Sequence, residues 1–195
     1  MLKYIFSPRR LEKVRNNKVI PYLYGNILEL WCGLWSIANY LNTQGVKNNY
    51  TGVDFNKKII DALSTNFPSL KFIQHDLDEL LYLENITFDT VVSIAVIEHI
   101  YNQKKFLLTA TRNLKMGWRL IITTPSNFWN DLIYPIICKL GMREGKWVLT
   151  DHITIYNRDR FLVAANDFGL ELEHFEHFEF FCNQLAVFKK IKIIE

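Results

Sequence analysis

The feature that most constrains the fold of this chain is the alternation of short apolar runs with helix-like stretches between residues 27 and 125. Runs without regular polar positions are typical of strands whose two faces are both covered by helices. Strands that alternate with helices in this way predict a doubly wound α/β fold with a mostly parallel sheet. The predicted strands cover residues 27–30, 50–53, 71–74, 90–93 and 119–124.

The C-terminal part of the chain departs from this alternation. Asn157 is a predicted N-cap for a helix that Gly169 ends. Two strand-like segments near 170–179 and 184–193 follow, and we expect an antiparallel hairpin because only a few residues separate them. The sequence predicts a seven-stranded sheet with helices on both faces. The predicted single domain spans residues 1–195, with an N-terminal helical segment over 1–20 and a candidate substrate lid over 126–156.

Composition and charge argue against several classes of protein. Hydrophobic residues make up 49% and charged residues 22% of the chain, as in ordinary globular domains. Three widely spaced cysteines without a CxxC pair argue against a disulfide framework or a zinc site. The net charge of +3 argues against a nucleic-acid partner, and we interpret Lys189, Lys190 and Lys192 as a solvated strand end. We find no signal peptide or membrane span and expect a cytoplasmic location.

Acidic and polar residues stand where the predicted strands end. Asp54 follows the second strand, Asp76 follows the third, and Ser93 ends the fourth. Ligands of open parallel sheets bind beyond the carboxyl ends of the strands. Asp54 lies 21 residues after Gly33, a spacing that suits a carboxylate accepting hydrogen bonds from both hydroxyls of a ribose. The sequence therefore predicts a site for a ribose-containing ligand at this edge.

The loop after the first strand resembles the first motif of the class I, Rossmann-like S-adenosylmethionine-dependent methyltransferases. That motif runs carboxylate-x-Gly-x-Gly-x-Gly, and Glu29 and Gly33 match it. Trp31 and Trp35 stand in the places of the other two glycines. The resemblance implies S-adenosylmethionine as the cofactor of this chain.

Further motifs extend the resemblance over about residues 20–190. Asp76 matches the acid that meets the adenine amino group, and residues 88–100 resemble the fourth motif, which ends in Glu-His. Residues 117–125 are similar to the Gly-Gly turn and fifth strand, with Trp118 in the place of one glycine. The cofactor-binding residues implied by the resemblance are Glu29, Trp31, Cys32, Gly33, Asp54, Phe55, Asp76, Leu77 and Ser93.

Glu98, His99 and His152 are the candidate catalytic residues. Glu98 and His99 follow the fourth strand and should face the cleft, and the resemblance places His152 near the substrate mouth. A histidine there could deprotonate a hydroxyl or amine acceptor. The alternative role for Glu98 and His99 is to cap a helix and orient the loop. We expect methyl transfer to a small-molecule O or N acceptor, with no prediction of the oligomeric state.

The same residues can also be interpreted as a metal site. Glu-x-x-Glu-His with a later histidine resembles the metal-binding set of small-RNA 2′-O-methyltransferases. Ala95 stands in the place of the first glutamate and cannot bind a metal. Glu98, His99 and His152 would then be an incomplete ligand set, and the low positive charge argues against RNA. Our predicted site contains no metal.

The tryptophans in the glycine loop leave two interpretations open. Glycine lets the backbone approach a ligand and adopt positive φ, and tryptophan does neither. The chain is either an inactive methyltransferase-like fold, or Trp31, Trp35 and Trp118 are glycines whose UGA codons were read with the wrong genetic code. The chain has 8 glycines in 195 residues against an average of about 7%. Counting its five tryptophans as glycine would give 13 and remove the deficit.

Overall fold

The fold is built on a sheet of seven strands in the order β3-β2-β1-β4-β5-β7-β6, seen in a computed structural model that describes residues 8–34, 37–44, 49–139 and 152–194. The strands are β1 (Ile27–Leu30), β2 (Tyr50–Asp54), β3 (Lys71–Gln74), β4 (Phe88–Ile94), β5 (Leu114–Pro125), β6 (Leu170–Phe178) and β7 (Asn183–Lys190). The α-helices are α1 (Pro8–Val19), α2 (Ile37–Thr43), α3 (Lys57–Asn66), α4 (Gln103–Asn113), α5 (Tyr134–Lys139) and α6 (Arg158–Asp167). Within the described residues no helix is long and apolar enough to cross a membrane.

The sheet confirms the predicted doubly wound topology. Strand β1 pairs in parallel with β2 on one side and with β4 on the other, so the order of strands reverses between β1 and β4. Strand β7 pairs antiparallel with β5 and with β6. A crevice for ligands forms at such a reversal, beyond the carboxyl ends of the central strands.

The alternation of side chains along β1 determines the face of the sheet on which Glu29 lies. Leu28 and Leu30 pack into the core cluster that also contains Phe106 of α4. Ile27 packs into the opposite cluster, together with Ile37 of α2. Because successive side chains of a strand point to opposite faces, Glu29 lies on the same face as Ile27 and turns toward α2.

Strand β5 begins earlier than the sequence predicts. We expected it to start at residue 119, but it starts at Leu114, directly after α4. A register shift between Phe88 and Thr90 lets Phe88 of β4 pair with Leu114. An ion pair of 2.7 Å between Lys115 Nζ and Asp89 Oδ1 joins the added segment to β4. We did not predict residues 114–118 as a strand because they contain no continuous apolar run.

The prediction that Lys190 is solvated is wrong. The residue is only 8% exposed. Its Nζ donates to the carbonyl oxygens of Thr111 and Leu114 at 2.6 and 2.7 Å, which are backbone acceptors at the end of α4. Burial lowers the pKa of the Lys190 ammonium group. The lysine therefore satisfies the last carbonyls of a helix instead of meeting solvent.

Candidate active site

A cavity of about 380 Å³ lies at the carboxyl ends of β1, β4 and β5. The loop after β1 forms one wall, the turn after β4 forms another, and helix α1 closes one side. The cavity is lined by Leu11, Glu12, Arg15, Asn16, Glu29, Trp31, Cys32, Gly33, Ile94, Ala95, Val96, Glu98, His99, Pro125, Trp129 and His152. Seven of the twelve residues that the sequence predicts for the site are among them.

The loop after β1 has the backbone of a glycine motif. Trp31 and Gly33 both lie in the left-handed region, with φ of 65° and 52°. The amide of Cys32 between them donates to the carbonyl of Val53 at 2.8 Å, which ties the loop to β2. Trp35 lies outside the described residues. A Cβ at Gly33 would meet no atom within 4 Å, so open space adjoins this part of the loop.

The side chain of Trp31 lies between the side chains of Phe55 and His99. Its ring packs edge-on against Phe55, which follows Asp54, with 5.0 Å between ring centroids. On its other side the ring lies 6.2 Å from that of His99. Residue 31 is therefore positioned between the predicted ribose acid and the candidate base.

Glu29 is a buried acid that shapes the loop. It is 3% exposed, and its Oε2 accepts hydrogen bonds from the amide of Ile37 at 3.0 Å and from the Tyr50 hydroxyl at 2.5 Å. Burial raises the pKa of Glu29 to about 8, and the two hydrogen bonds only partly oppose this. The acid joins β1, β2 and the start of α2, and it also lines the cavity.

The free energy of unfolding of the wild type is expected to fall between about pH 4.5 and pH 8, and Glu29→Gln is expected to remove the part of this fall that Glu29 causes. The pKa of the carboxyl is raised on folding, so the folded state holds the proton that the unfolded state releases, and the free energy of unfolding falls as pH rises through this window. The slope contributed by one such group is at most about 1.4 kcal/mol per pH unit. Urea unfolding of both proteins from pH 5 to pH 8 measures it. A stability difference between them that does not change with pH contradicts the prediction.

Asp54 holds the two ligand loops together. Its side chain is fully buried, its Oδ2 accepts from the amide of Gly33 at 3.0 Å, and its Oδ1 accepts from the amide of Asn56 at 2.8 Å. The contact between Asp54 and Gly33 joins the loop after β1 to the loop after β2, although the two residues stand 21 apart in sequence. Phe55 is 52% exposed beside this acid, where its ring covers Trp31.

The remaining predicted cofactor residues lie away from the cavity wall. Asp76 is exposed, and its Oδ1 accepts from the amide of Asp78 at 3.0 Å. Leu77 is buried in the core cluster beneath α4. Ser93 is fully buried, and its hydroxyl has no hydrogen-bond partner among the described residues. The next residues of the chain, Ile94 and Ala95, line the cavity in its place.

Glu98, His99 and His152 come together, although 53 residues separate the two histidines. One ligand atom from each of the three lies within 4.8 Å of the others. Glu98 and His99 sit in a short 3₁₀ turn, Ile97–His99, and the carbonyl of Glu98 accepts from the amide of Ile153 at 2.7 Å. This backbone bond brings His152 to the turn, with 5.0 Å between the two imidazole centroids.

Glu98 is the buried member of this cluster. It is 1% exposed, and burial raises the pKa of its carboxyl. Its Oε2 accepts from the Thr124 hydroxyl at 3.0 Å, and its Oε1 has no hydrogen-bond partner among the described residues. Nearby Ala95 has a φ of 55°, a strained conformation for a residue other than glycine. Strain and an unsatisfied buried oxygen in one place mark a functional site more often than a structural one.

Helix α1 is the part of the site that sequence reasoning missed. Arg10 pairs with the buried Glu179 at 2.8 Å, and Lys18 pairs with Glu176 at 3.0 Å. These ion pairs dock the helix on the C-terminal hairpin, and Glu12 and Arg15 then face the cavity. The charged residues were visible in the sequence, but their partners stand about 160 residues away.

The fold agrees with comparisons against known proteins. A methyltransferase-domain family model matches residues 28–122, which run from β1 into β5. Over these residues, just under half of its length, the chain is similar to the methyltransferase-domain family. The cofactor of this family is S-adenosylmethionine.

Relatives and solved structures extend the likeness. The chain is 27% identical over 153 residues to the mitochondrial ubiquinone biosynthesis O-methyltransferase of Dictyostelium discoideum, covering 70% of this chain and 47% of that protein. It is 32% identical over 102 residues to the ubiquinone biosynthesis O-methyltransferase of Rickettsia akari (strain Hartford), covering 50% and 39%. The chain thus spans less than half the length of these two relatives.

A TehB-like S-adenosylmethionine-dependent methyltransferase of Corynebacterium glutamicum has the same fold as this methyltransferase. The two superimpose with a TM-score of 0.65 at 21% identity, covering 93% of each chain. The match extends beyond the residues of the family model. It supports the fold alone.

The backbone of the loop after β1 leaves room for S-adenosylmethionine, but tryptophan at position 31 does not fit it. A Cβ at Gly33 would meet open space, whereas the buried acids Glu29 and Asp54 already accept hydrogen bonds from groups of the protein. Trp31 places an indole where the family backbone approaches the ligand, at a φ that favours glycine.

Proposed function

We propose that this protein transfers a methyl group from S-adenosylmethionine to a small-molecule O or N acceptor. The observation that carries the proposal is the convergence of His99, His152 and Glu98 on the cavity that the loop after β1 also lines. The two relatives named above are O-methyltransferases of ubiquinone biosynthesis, which supports an oxygen acceptor. The cytoplasm stays the location predicted from the sequence.

The chain's own residues would position the acceptor and remove its proton. Bound cofactor would supply an electrophilic methyl group on its sulfonium. His99 and His152 lie where an acceptor hydroxyl or amine could lose its proton to an imidazole nitrogen. Glu98 lies buried behind them, held by Thr124, and can orient this pair. Most of the rate enhancement would come from holding the acceptor in line with the methyl group.

A screen of acceptor classes with methyl-labelled cofactor tests the proposal. It should be run on the chain as written and on Trp31→Gly, because residue 31 decides how well the cofactor enters. Phenols, carboxylic acids, amines and quinone precursors cover the two acceptor chemistries. Transfer to one of these classes supports the proposal. Absence of transfer in a Trp31→Gly protein that binds the cofactor would overturn it in favour of an inactive methyltransferase-like fold.

A second candidate function is metal-assisted methyl transfer, which the cluster of Glu98, His99 and His152 favours. Two imidazoles and a carboxylate form a ligand set that suits zinc or iron. Oε1 of Glu98, which has no hydrogen-bond partner in the part of the chain that the structure describes, is the kind of buried oxygen that a cation satisfies. Ala95 offers no fourth side-chain ligand, so the cluster fits a three-ligand site and departs from the four-ligand set of the RNA enzymes.

Dialysis against EDTA is expected to leave turnover unchanged within about twofold if a histidine acts as the base. Metal analysis of the purified protein, followed by chelation and addition of Zn²⁺, Fe²⁺ or Mg²⁺, measures this. Loss of turnover that one of these ions restores would establish the second candidate. His152→Ala is the matched control, because it removes a ligand and should abolish any restoration by metal.

A further inference from the structure

The imidazole of His152 contacts a side chain in the candidate lid. Its Nδ1 lies 3.1 Å from Oδ1 of Asn130, which belongs to a π-helical turn over Phe128–Ile133. A ring nitrogen can donate or accept, so this distance alone does not place the proton. The position of the proton matters because it decides which nitrogen keeps a lone pair.

A second hydrogen bond settles the orientation of the Asn130 amide. Its Nδ2 donates to Oδ1 of Asp131 at 3.0 Å. An ionised carboxylate can only accept, so the amide nitrogen must face Asp131 and the amide oxygen must face His152. A carbonyl oxygen can only accept as well. Nδ1 of His152 therefore carries the proton, and in the neutral ring the lone pair is on Nε2.

The turn that carries Asn130 is firmly anchored. Trp129 is 4% exposed and packs against Tyr134 and Cys182. The amide of Asn130 donates to the carbonyl of Ser126 at 3.1 Å, and the Ser126 hydroxyl accepts from the amide of Trp129 at 3.2 Å. Single π-helical turns occur frequently at functional sites, where they direct one side chain.

We infer that Asn130 is a positioning residue that holds His152 in the Nδ1–H tautomer, so that Nε2 is its basic nitrogen in the site. The role in catalysis rests on the proposed function, whereas the tautomer does not. Both candidate functions need such a residue, because a base and a metal ligand each require a lone pair on a defined nitrogen. The lid is thereby coupled to the candidate base.

NMR of the unliganded protein with ¹⁵N-labelled histidine tests the tautomer directly, at about pH 9, where histidine is neutral. In the wild type His152 is expected to carry its proton on Nδ1. Asn130→Leu keeps the shape but removes the acceptor, and the proton is expected to move to Nε2, which imidazole prefers in water. Asn130→Asp keeps an acceptor and is expected to retain the wild-type tautomer. Asn127→Leu, in the same segment but exposed, is the control and should change nothing.

Each outcome has a clear meaning. A proton on Nε2 in the wild type, or a tautomer that does not respond to Asn130→Leu, overturns the inference whatever the activity. With an acceptor in hand, Asn130→Leu should lower kcat about tenfold with little effect on KM, and Asn130→Asp should restore it. If the tautomer moves and kcat does not, Asn130 still sets the tautomer, and the assignment of His152 as the base fails.

Discussion

Replacing Trp31 by glycine is expected to raise the affinity of the protein for S-adenosylmethionine by about one to two orders of magnitude. A gain of this size corresponds to about 1.4–2.8 kcal/mol of binding free energy. The strain of left-handed φ, about 1–2 kcal/mol, is present without ligand, so its relief should raise stability and not affinity. Glycine also removes an indole that lies between Phe55 and His99. For the chain as written we expect weak or absent binding. Isothermal titration of both proteins with the cofactor measures the difference.

Trp118→Gly is the matched control for this experiment. Trp118 also stands at a family glycine position, but it lies in β5 outside the left-handed region, and its ring stacks on Tyr24 with 5.3 Å between centroids. Its removal should lower stability and leave cofactor affinity unchanged. Micromolar affinity of the chain as written would contradict the prediction, and so would equal affinities of that chain and the Trp31→Gly variant.

The codons decide whether Trp31 is present in the cell. A UGA codon at position 31 would support the hypothesis that the residue is a glycine, whereas UGG at positions 31, 35 and 118 would contradict it. The structure distinguishes position 31 from position 118. The backbone favours glycine at 31 and shows no such preference at 118. Trp129 is 4% exposed and packs against Tyr134, as expected of a genuine core tryptophan.

His152→Ala is expected to lower turnover by about a hundredfold or more and to leave cofactor affinity within about twofold. Removal of a general base typically costs 10²–10⁴-fold, and the imidazole of His152 lies beside that of His99, with 5.0 Å between ring centroids. Turnover and binding should be measured in the Trp31→Gly background, where the cofactor can enter. Loss of cofactor binding would show that His152 has a structural role.

His174→Ala is the control for this variant. His174 lies on β6, where its Nε2 is 3.2 Å from Glu176 and its ring stacks on Tyr22. It does not line the cavity. Its removal should leave turnover unchanged. His99→Ala should also lower turnover, but it removes a ring that packs against Trp31 and is therefore the less specific test.

Much of the fold and one wall of the site could be predicted from the sequence. Strands β1, β2 and β3 lie within one residue of their predicted positions. Strands β1 and β2 are short runs that are buried along their whole length, whereas β3 is a partly exposed edge strand. The acids at strand ends followed from the same pattern. The Asp54 carboxylate accepts a hydrogen bond from the amide of Gly33, a contact that the sequence did not predict. The use of these residues as ligands stays a prediction.

The other residues of the site could not be predicted with the same detail. Asp76, Leu77 and Ser93 were included because they stand at strand ends, but the side chains of Leu77 and Ser93 turn into the core. Asn130 has no sequence signal, because its role depends on a π-helical turn and on the orientation of one amide. Residues 140–151 of the candidate lid lie outside the described residues.

The sequence by itself determined the α/β class, the antiparallel C-terminal hairpin and the acids at the ends of the strands. These follow from local patterns, since the period of apolar residues reports how each segment is buried. Only the tertiary structure decided that His152 meets Glu98 and His99, that α1 closes the cavity and that Lys190 is buried. Each depends on hydrogen bonds, ion pairs or packing between distant segments, and no local pattern records the partner.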